Sequence, residues 1–196
     1  MIDTDLFPVD ARSLEALHDR VVAAAGRDGL LDVAYRELGT PVGTLLLVAT
    51  EAGLVRVAYA REDFDAVLAV VAEKVSPRIL RAPTRLDGAA RQLGEYFDGT
   101  RRTFDLPLDH ALSAGFRRTV QLALPDIAYG HTASYGDVAR AVGNPAAVRA
   151  VGSACATNPL PVVVPCHRVL RSDGRLGGYV GGAEAKTALL DLERAA

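Results

Sequence analysis

The chain holds two cysteines, and one of them is followed directly by a histidine, in Pro165-Cys166-His167-Arg168-Val169. A free thiol, with a reference pKa of about 8.5, is mostly protonated at neutral pH. A neighbouring imidazole can take the proton, and the thiolate left behind is the nucleophile. The apolar run Pro161-Val162-Val163-Val164 enters the cysteine and predicts buried, strand-like backbone there. Read alone, such a cysteine is a small buried hydrophobe beside a surface histidine, as most free cysteines are. The second, Cys155, lies in a stretch of small residues and reads as an inert packing residue. Two cysteines are too few for a disulfide framework, and their spacing matches no zinc motif.

Several elements must position that pair. Ser134-Tyr135-Gly136-Asp137 is a capping box, predicting a helix over 135–142 that stops at Gly143. Asn144 then reads as a cap with Pro145 at the first helical position, opening a second helix to about residue 156. Two short helices across a glycine turn read as helix-turn-helix. The second is made of small residues, with Arg149 its only long polar side chain. A helix that read base edges would carry Asn, Gln, Arg or Lys at several positions. One arginine on a smooth face suits sequence-blind binding. Upstream, Ser113 is placed to cap a helix on which Phe116, Val120 and Leu124 repeat every four residues.

The formal net charge of −2 argues against a general nucleic-acid binder, but it hides an asymmetry. Residues 111–180 carry seven arginines against three aspartates, whereas residues 1–110 carry 13 basic and 18 acidic side chains. Such separation suits a DNA face on the second half and an acidic body on the first. No apolar run approaches the ~18 residues needed to span a bilayer. The acidic start Met1-Ile2-Asp3-Thr4-Asp5 lacks the order of a secretion signal, so a cytoplasmic protein is expected.

In the first half, residues 9–25 predict an amphipathic helix with Leu14, Leu17, Val21 and Val22 on one face. Strands follow at 33–38, 44–50 and 54–60, the last two a hairpin across 51–53, and helices at 64–75 and 86–97. Nothing there carries a recognisable site.

With its flanks, Asn158-Pro159-Leu160-Pro161-Val162-Val163-Val164-Pro165-Cys166-His167-Arg168-Val169, followed by Gly177-Gly178-Tyr179-Val180-Gly181-Gly182, resembles the O6-alkylguanine-DNA alkyltransferases. The motif is specific, and the resemblance runs from about residue 116 to 193; upstream it is one of layout only. It implies an α+β fold, with a ribonuclease-H-like α/β domain at 1–110, including the helical extension at 9–25. A mainly helical, winged-helix-like domain with the helix-turn-helix would follow at 111–196. It also implies roles: Cys166 as nucleophile, His167 as the base acting through a water, and Glu193 as the group that orients His167. Tyr135 would donate to the guanine oxygen and Asn158 would hold the turn before the active cysteine. Arg149 would replace the extruded base from the minor groove, with Ser134, Tyr135, Ala150 and Gly152 also at the DNA. Tyr179, Val180, Val169, Gly177 and Gly178 would wall the base pocket, and Arg168 would serve structure through an ion pair or carbonyl contacts. Several relatives have serine where this chain has Val180, so a hydroxyl is lost while the backbone N–H remains. That departure bears on substrate range. Zinc sites of some relatives need N-terminal cysteines and histidines; here that part has no cysteine and only His18 and His110, so no metal and no cofactor are expected.

The function so implied is irreversible, single-turnover transfer of the alkyl group of O6-alkylguanine, and of O4-alkylthymine, to Cys166. The partner would be double-stranded DNA bearing the lesion, with no membrane, and the protein a monomer in solution that clusters on DNA. The alternative is a non-enzymatic lesion-binding helix-turn-helix module, whose relatives lack the cysteine. A cysteine hydrolase using Cys166, His167 and Glu193 meets the objection that adjacent strand residues face opposite ways.

Overall fold

The computed structural model describes residues 10–195. In the first half, β1 (Val33–Leu38), β2 (Leu45–Ala49), β3 (Leu54–Tyr59) and β4 (Ile79–Arg81) form one sheet in the order β3-β2-β1-β4. β2 is antiparallel to both β1 and β3, and β4 joins β1 in parallel. Leu45-Leu46-Leu47-Val48 shows no polar alternation because both faces of the sheet are covered. Leu46 and Val48 pack with Val67 and Val71 of α2 (Phe64–Lys74). Leu45 and Leu47 join a larger core with Leu93 and Tyr96 of α3 (Asp87–Phe97). Sequence reading missed β4: three residues between Pro77 and Pro83 carry no strand signal, and only pairing to β1 makes them one.

That larger core does not stop at the sheet. It continues into Val120 of α4 (Gly115–Ala123), Val151 of α6 (Val148–Ala156), Cys166 and Leu189 of α7 (Gly182–Ala195). The edge of β3 is also closed by the chain itself. Leu54 N donates to Pro107 O at 2.9 Å, Asp109 N to Leu54 O at 2.9 Å, and Val57 N to Pro159 O at 2.8 Å. The stretch that leads to Cys166 thus leans on the sheet. In the second half, β5 (Ala133–Ser134) and β6 (Val169–Leu170) pair in parallel. This short ribbon sets the start of α5 (Tyr135–Ala141) beside the residues just after Cys-His-Arg.

The structure corrects several local expectations. Ser113 does not cap α4, whose N-cap is Ala114; it is buried and donates to Gln121 Oε1. Gln121 Nε2 in turn donates to Ala154 O at 3.1 Å, tying α4 to α6. Asn144 and Pro145 do not open α6, which begins three residues later with Ala147 as its N-cap. The reason is that the amides of Gly143, at φ +74°, and Asn144 are used to close α5, on Arg140 O and Ala139 O. Residues 161–164 are not a strand. Prolines 159, 161 and 165 remove ladder donors, Val162 sits at φ +72°, and Cys166–Arg168 form one 3₁₀ turn.

α1 (Ala11–Arg27) begins with Asp10 accepting from Ser13 N at 2.9 Å; residue 9 of the expected span lies outside the described residues. The expected apolar face is not the one that docks: Leu14, Leu17 and Val21 are each at least half exposed. Of the four expected residues only Val22 turns inward, and it does so with His18 and Ala25.

Candidate active site

Cys166 is buried at the start of its 3₁₀ turn. Asn158, also buried, holds it: Nδ2 donates to Sγ at 3.1 Å and to Val164 O at 2.8 Å, while Oδ1 accepts from Leu160 N at 3.0 Å. One amide side chain therefore ties Leu160, Val164 and Cys166 together. Burial pushes the Cys166 thiol up to about 11, against the opposing pull of the Asn158 donor and the Lys186 charge. The resting group is the thiol, and it needs a base.

An imidazole with the chemistry of a base lies one residue away, and the 3₁₀ turn removes the objection that applies to adjacent strand residues. His167 is fully buried, with Nε2 2.8 Å from Glu193 Oε1. Burial would raise the Glu193 carboxyl, but hydrogen bonds from His167 and Arg168 outweigh it and hold it down to about 2. An ionised carboxylate can only accept, so Nε2 carries the hydrogen and Nδ1 holds the lone pair. Nδ1 is buried and has no partner among the described residues. Burial lowers the His167 pKa more than Glu193 raises it, so the imidazole is neutral and ready to accept. Arg168 binds both oxygens of Glu193, Nε to Oε2 at 2.9 Å and Nη2 to Oε1 at 3.0 Å, and Nη1 donates to Ile127 O at 2.6 Å. Both contacts expected of it, ion pair and carbonyl, are present.

Tyr135 starts α5 behind the Ser134–Asp137 capping box and is half-buried. Burial raises its pKa, with Cys155 and Cys166 adding to the effect, so it remains a phenol that can donate. Its ring packs against the glycine loop: a Cβ at Gly177 would overlap the Tyr135 hydroxyl and come within 2.9 Å of Cζ. Tyr179 turns the other way, its hydroxyl 2.9 Å from that of Tyr59 and its ring 6.3 Å from His167, edge to face. Gly178 is exposed and Val180 half-buried, while Val169 is fully buried with its carbonyl taken by Lys186 Nζ at 2.7 Å. Val180 and Asn158 also border a groove of about 370 Å³ that α2 closes from the other side. On α6, Arg149 and Ala150 are exposed, and Gly152 lies against the Tyr135 ring.

Two family models match the chain: the ribonuclease-like domain of 6-O-methylguanine DNA methyltransferase over residues 33–110, and its DNA-binding domain over residues 115–195. A methylated-DNA–protein-cysteine methyltransferase of Mycolicibacterium paratuberculosis is 39% identical, across 83% of this chain and 93% of that protein. The chain belongs to this methyltransferase family. The constitutive methylated-DNA–protein-cysteine methyltransferase of Bacillus subtilis is 41% identical over 82% of this chain and 94% of its own length. Among solved structures, Mycobacterium tuberculosis OGT in complex with DNA superposes with a TM-score of 0.70 at 38% identity, covering 83% of this chain and 93% of that one. The α+β architecture of the methyltransferase family, a ribonuclease-like sheet domain followed by a helical DNA-binding domain, is the one found here.

Sequence reading placed nothing of this methyltransferase's site in the first half, and the structure corrects that. Tyr59 from β3 bonds Tyr179, and its ring lies where a Cβ at Gly181 would be, 2.6 Å from Cζ. Tyr96 from α3 donates to Glu193 Oε1 at 2.7 Å. Neither has a local signal, since each is an ordinary apolar position until the halves dock. Lys186 was also missed, though a signal existed. Ala185, Lys186, Leu189, Leu190 and Glu193 form the buried stripe of α7, so two charges at core positions mark a buried ionic site.

The Glu193 carboxyl has a pH consequence for this methyltransferase. A carboxyl held at about 2, against its ordinary 4.5, adds stability that is complete above pH 4.5 and lost as pH falls toward 2. A histidine buried neutral acts in the same direction below about pH 6.5. Denaturant unfolding at pH 7, 4.5 and 3 is expected to show stability falling throughout and most steeply below 4.5. Glu193 would account for about 2 kcal/mol of the loss by pH 3, about 1.5 units below its ordinary 4.5 at roughly 1.4 kcal/mol per unit. Stability that stays level from pH 7 to pH 3 would remove the buried carboxylate from this account.

Proposed function

We propose that the chain repairs DNA by direct reversal, taking the alkyl group of O6-alkylguanine, and of O4-alkylthymine, onto Sγ of its own Cys166. The observation that carries this reading is a buried thiol, held by Asn158, next to an imidazole whose Nε2 is committed to Glu193 and whose Nδ1 is free. The Sγ proton passes through a bridging water to Nδ1. The S–C bond forms as the C–O6 bond breaks, and guanine leaves as an anion that Tyr135 stabilises by hydrogen bonding. The proton held on His167 returns to guanine on release. Because the target carbon lies inside the duplex, the nucleotide is extruded first. The exposed Arg149, on a helix otherwise of small residues, fills the gap. The product is a thioether, a poor leaving group, so each protein acts once.

Incubation with duplex DNA carrying O6-methylguanine, followed by intact mass measurement and peptide mapping, tests this. One methyl group per chain is expected, on Cys166 and never on Cys155, which burial pushes up to about 12. Repair of many lesions per protein would sink the single-turnover reading, and methyl on any other residue would sink the assignment of Cys166.

A further inference from the structure

We propose that Tyr96, on α3 of the first half, is a positioning residue of the transfer reaction, acting through Glu193 on His167. This rests on the alkyl-transfer reading above. Glu193 Oε1 receives three donors: Tyr96 Oη at 2.7 Å, His167 Nε2 at 2.8 Å and Arg168 Nη2 at 3.0 Å. Oε2 receives Arg168 Nε at 2.9 Å and Gly130 N at 3.2 Å. Of these donors, only the phenol comes from the first half.

Its chemistry suits the place. Tyr96 is fully buried, and burial, reinforced by Glu193, raises its pKa, so it stays a neutral donor. A second cation on that oxygen, beside Arg168, would repel the proton that His167 must accept. A phenol fills the same lone-pair site without adding charge. The ring cannot swing away, because Phe97 and Phe104 each stand 5.3 Å from it and Tyr129 stands 6.1 Å away, centroid to centroid. The carboxylate is therefore held from two sides, by Arg168 and by Tyr96, with its remaining direction toward the imidazole. The other groups around His167 and Glu193 are Cys166, Arg168, the Lys186 ammonium from α7, and the rings of Tyr179 and Tyr129. Arg102 also lies over the Tyr129 ring, 5.7 Å from its centroid.

Hydrogen bonding to a carboxylate draws off charge that it would otherwise direct at its partner. Without the phenol, Glu193 holds the His167 proton more tightly. Tyr96→Phe keeps the ring and removes only that donor. In an NMR titration of the full chain, the His167 ring signals of this variant are expected to titrate about half a unit to one unit higher than in the unmodified protein. Transfer from the free base O6-benzylguanine needs neutral His167, so the acid limb of its pH–rate profile should move up by the same amount. On that limb the rate falls about three- to tenfold, a factor of ten per unit, and well above it the variant stays within about twofold. An unmoved titration, or a rate lowered equally at every pH, overturns the proposal. So does a Tyr96→Phe chain that fails to fold, because the hydroxyl would then be a structural tie. An unmodified protein inert to O6-benzylguanine would sink the alkyl-transfer reading, while the His167 titration would still decide the role of Tyr96.

Discussion

Glu193→Ala is expected to abolish alkyl transfer and to destabilise the protein by about 3–5 kcal/mol, the usual effect of removing one partner from a buried ion pair. Among the described residues the carboxylate is the acceptor for the Tyr96 hydroxyl, the His167 Nε2 hydrogen and two of the Arg168 nitrogens, all of them buried. Alanine leaves the arginine charge buried with no counter-ion and frees the imidazole to take either tautomer. Glu193→Gln separates the two effects. It keeps the volume, so it should recover part of the stability, yet it offers a neutral acceptor and should leave transfer far below the unmodified rate. Chemical denaturation and O6-benzylguanine transfer measured on both variants provide the check. An alanine variant that unfolds within about 1 kcal/mol of the parent and still transfers would show that the carboxylate does neither job.

Gly177→Ala is expected to do the reverse: to reduce transfer by about a hundredfold while changing stability by no more than about 1 kcal/mol. The added methyl meets the hydroxyl end of Tyr135 and not backbone, so the ring can move aside and the fold survives. The phenol then leaves the position from which it would stabilise the departing guanine oxygen. Loss of one such donor typically lowers a rate by about 10²–10³. Tyr135→Phe should lose as much, and combining the two should lose little more, since both remove one interaction. If the effects of the two substitutions multiply, Gly177 acts through something other than Tyr135.

The capping box at Ser134 and the stop at Gly143 were legible because each depends on hydrogen bonds made within a few residues. The Cys-His pair and its partner Asn158 were legible through the motif. Other errors share one cause, that distant partners decide local structure. Ser113 has the chemistry of a cap, but Gln121 offers it a buried acceptor. The 161–164 run has strand-forming valines, but the prolines at 159, 161 and 165 turn it into irregular backbone. For α1, pattern alone cannot tell which stripe docks, and the more apolar one remains outside. Tyr59 and Tyr96 gain meaning only when the halves meet, more than ninety residues from their partners.

Glu193 lies in the last turn of α7, 26 residues after His167. During synthesis the cysteine and its imidazole therefore emerge before the carboxylate that sets the tautomer. Until α7 docks, Lys186 also has not reached Val169 O, and the thiol has neither its relay nor its nearby positive charge. A growing chain thus carries Cys166 unarmed. On the single-turnover reading proposed above, the order of translation guards the thiol against being spent before the DNA-binding half is complete.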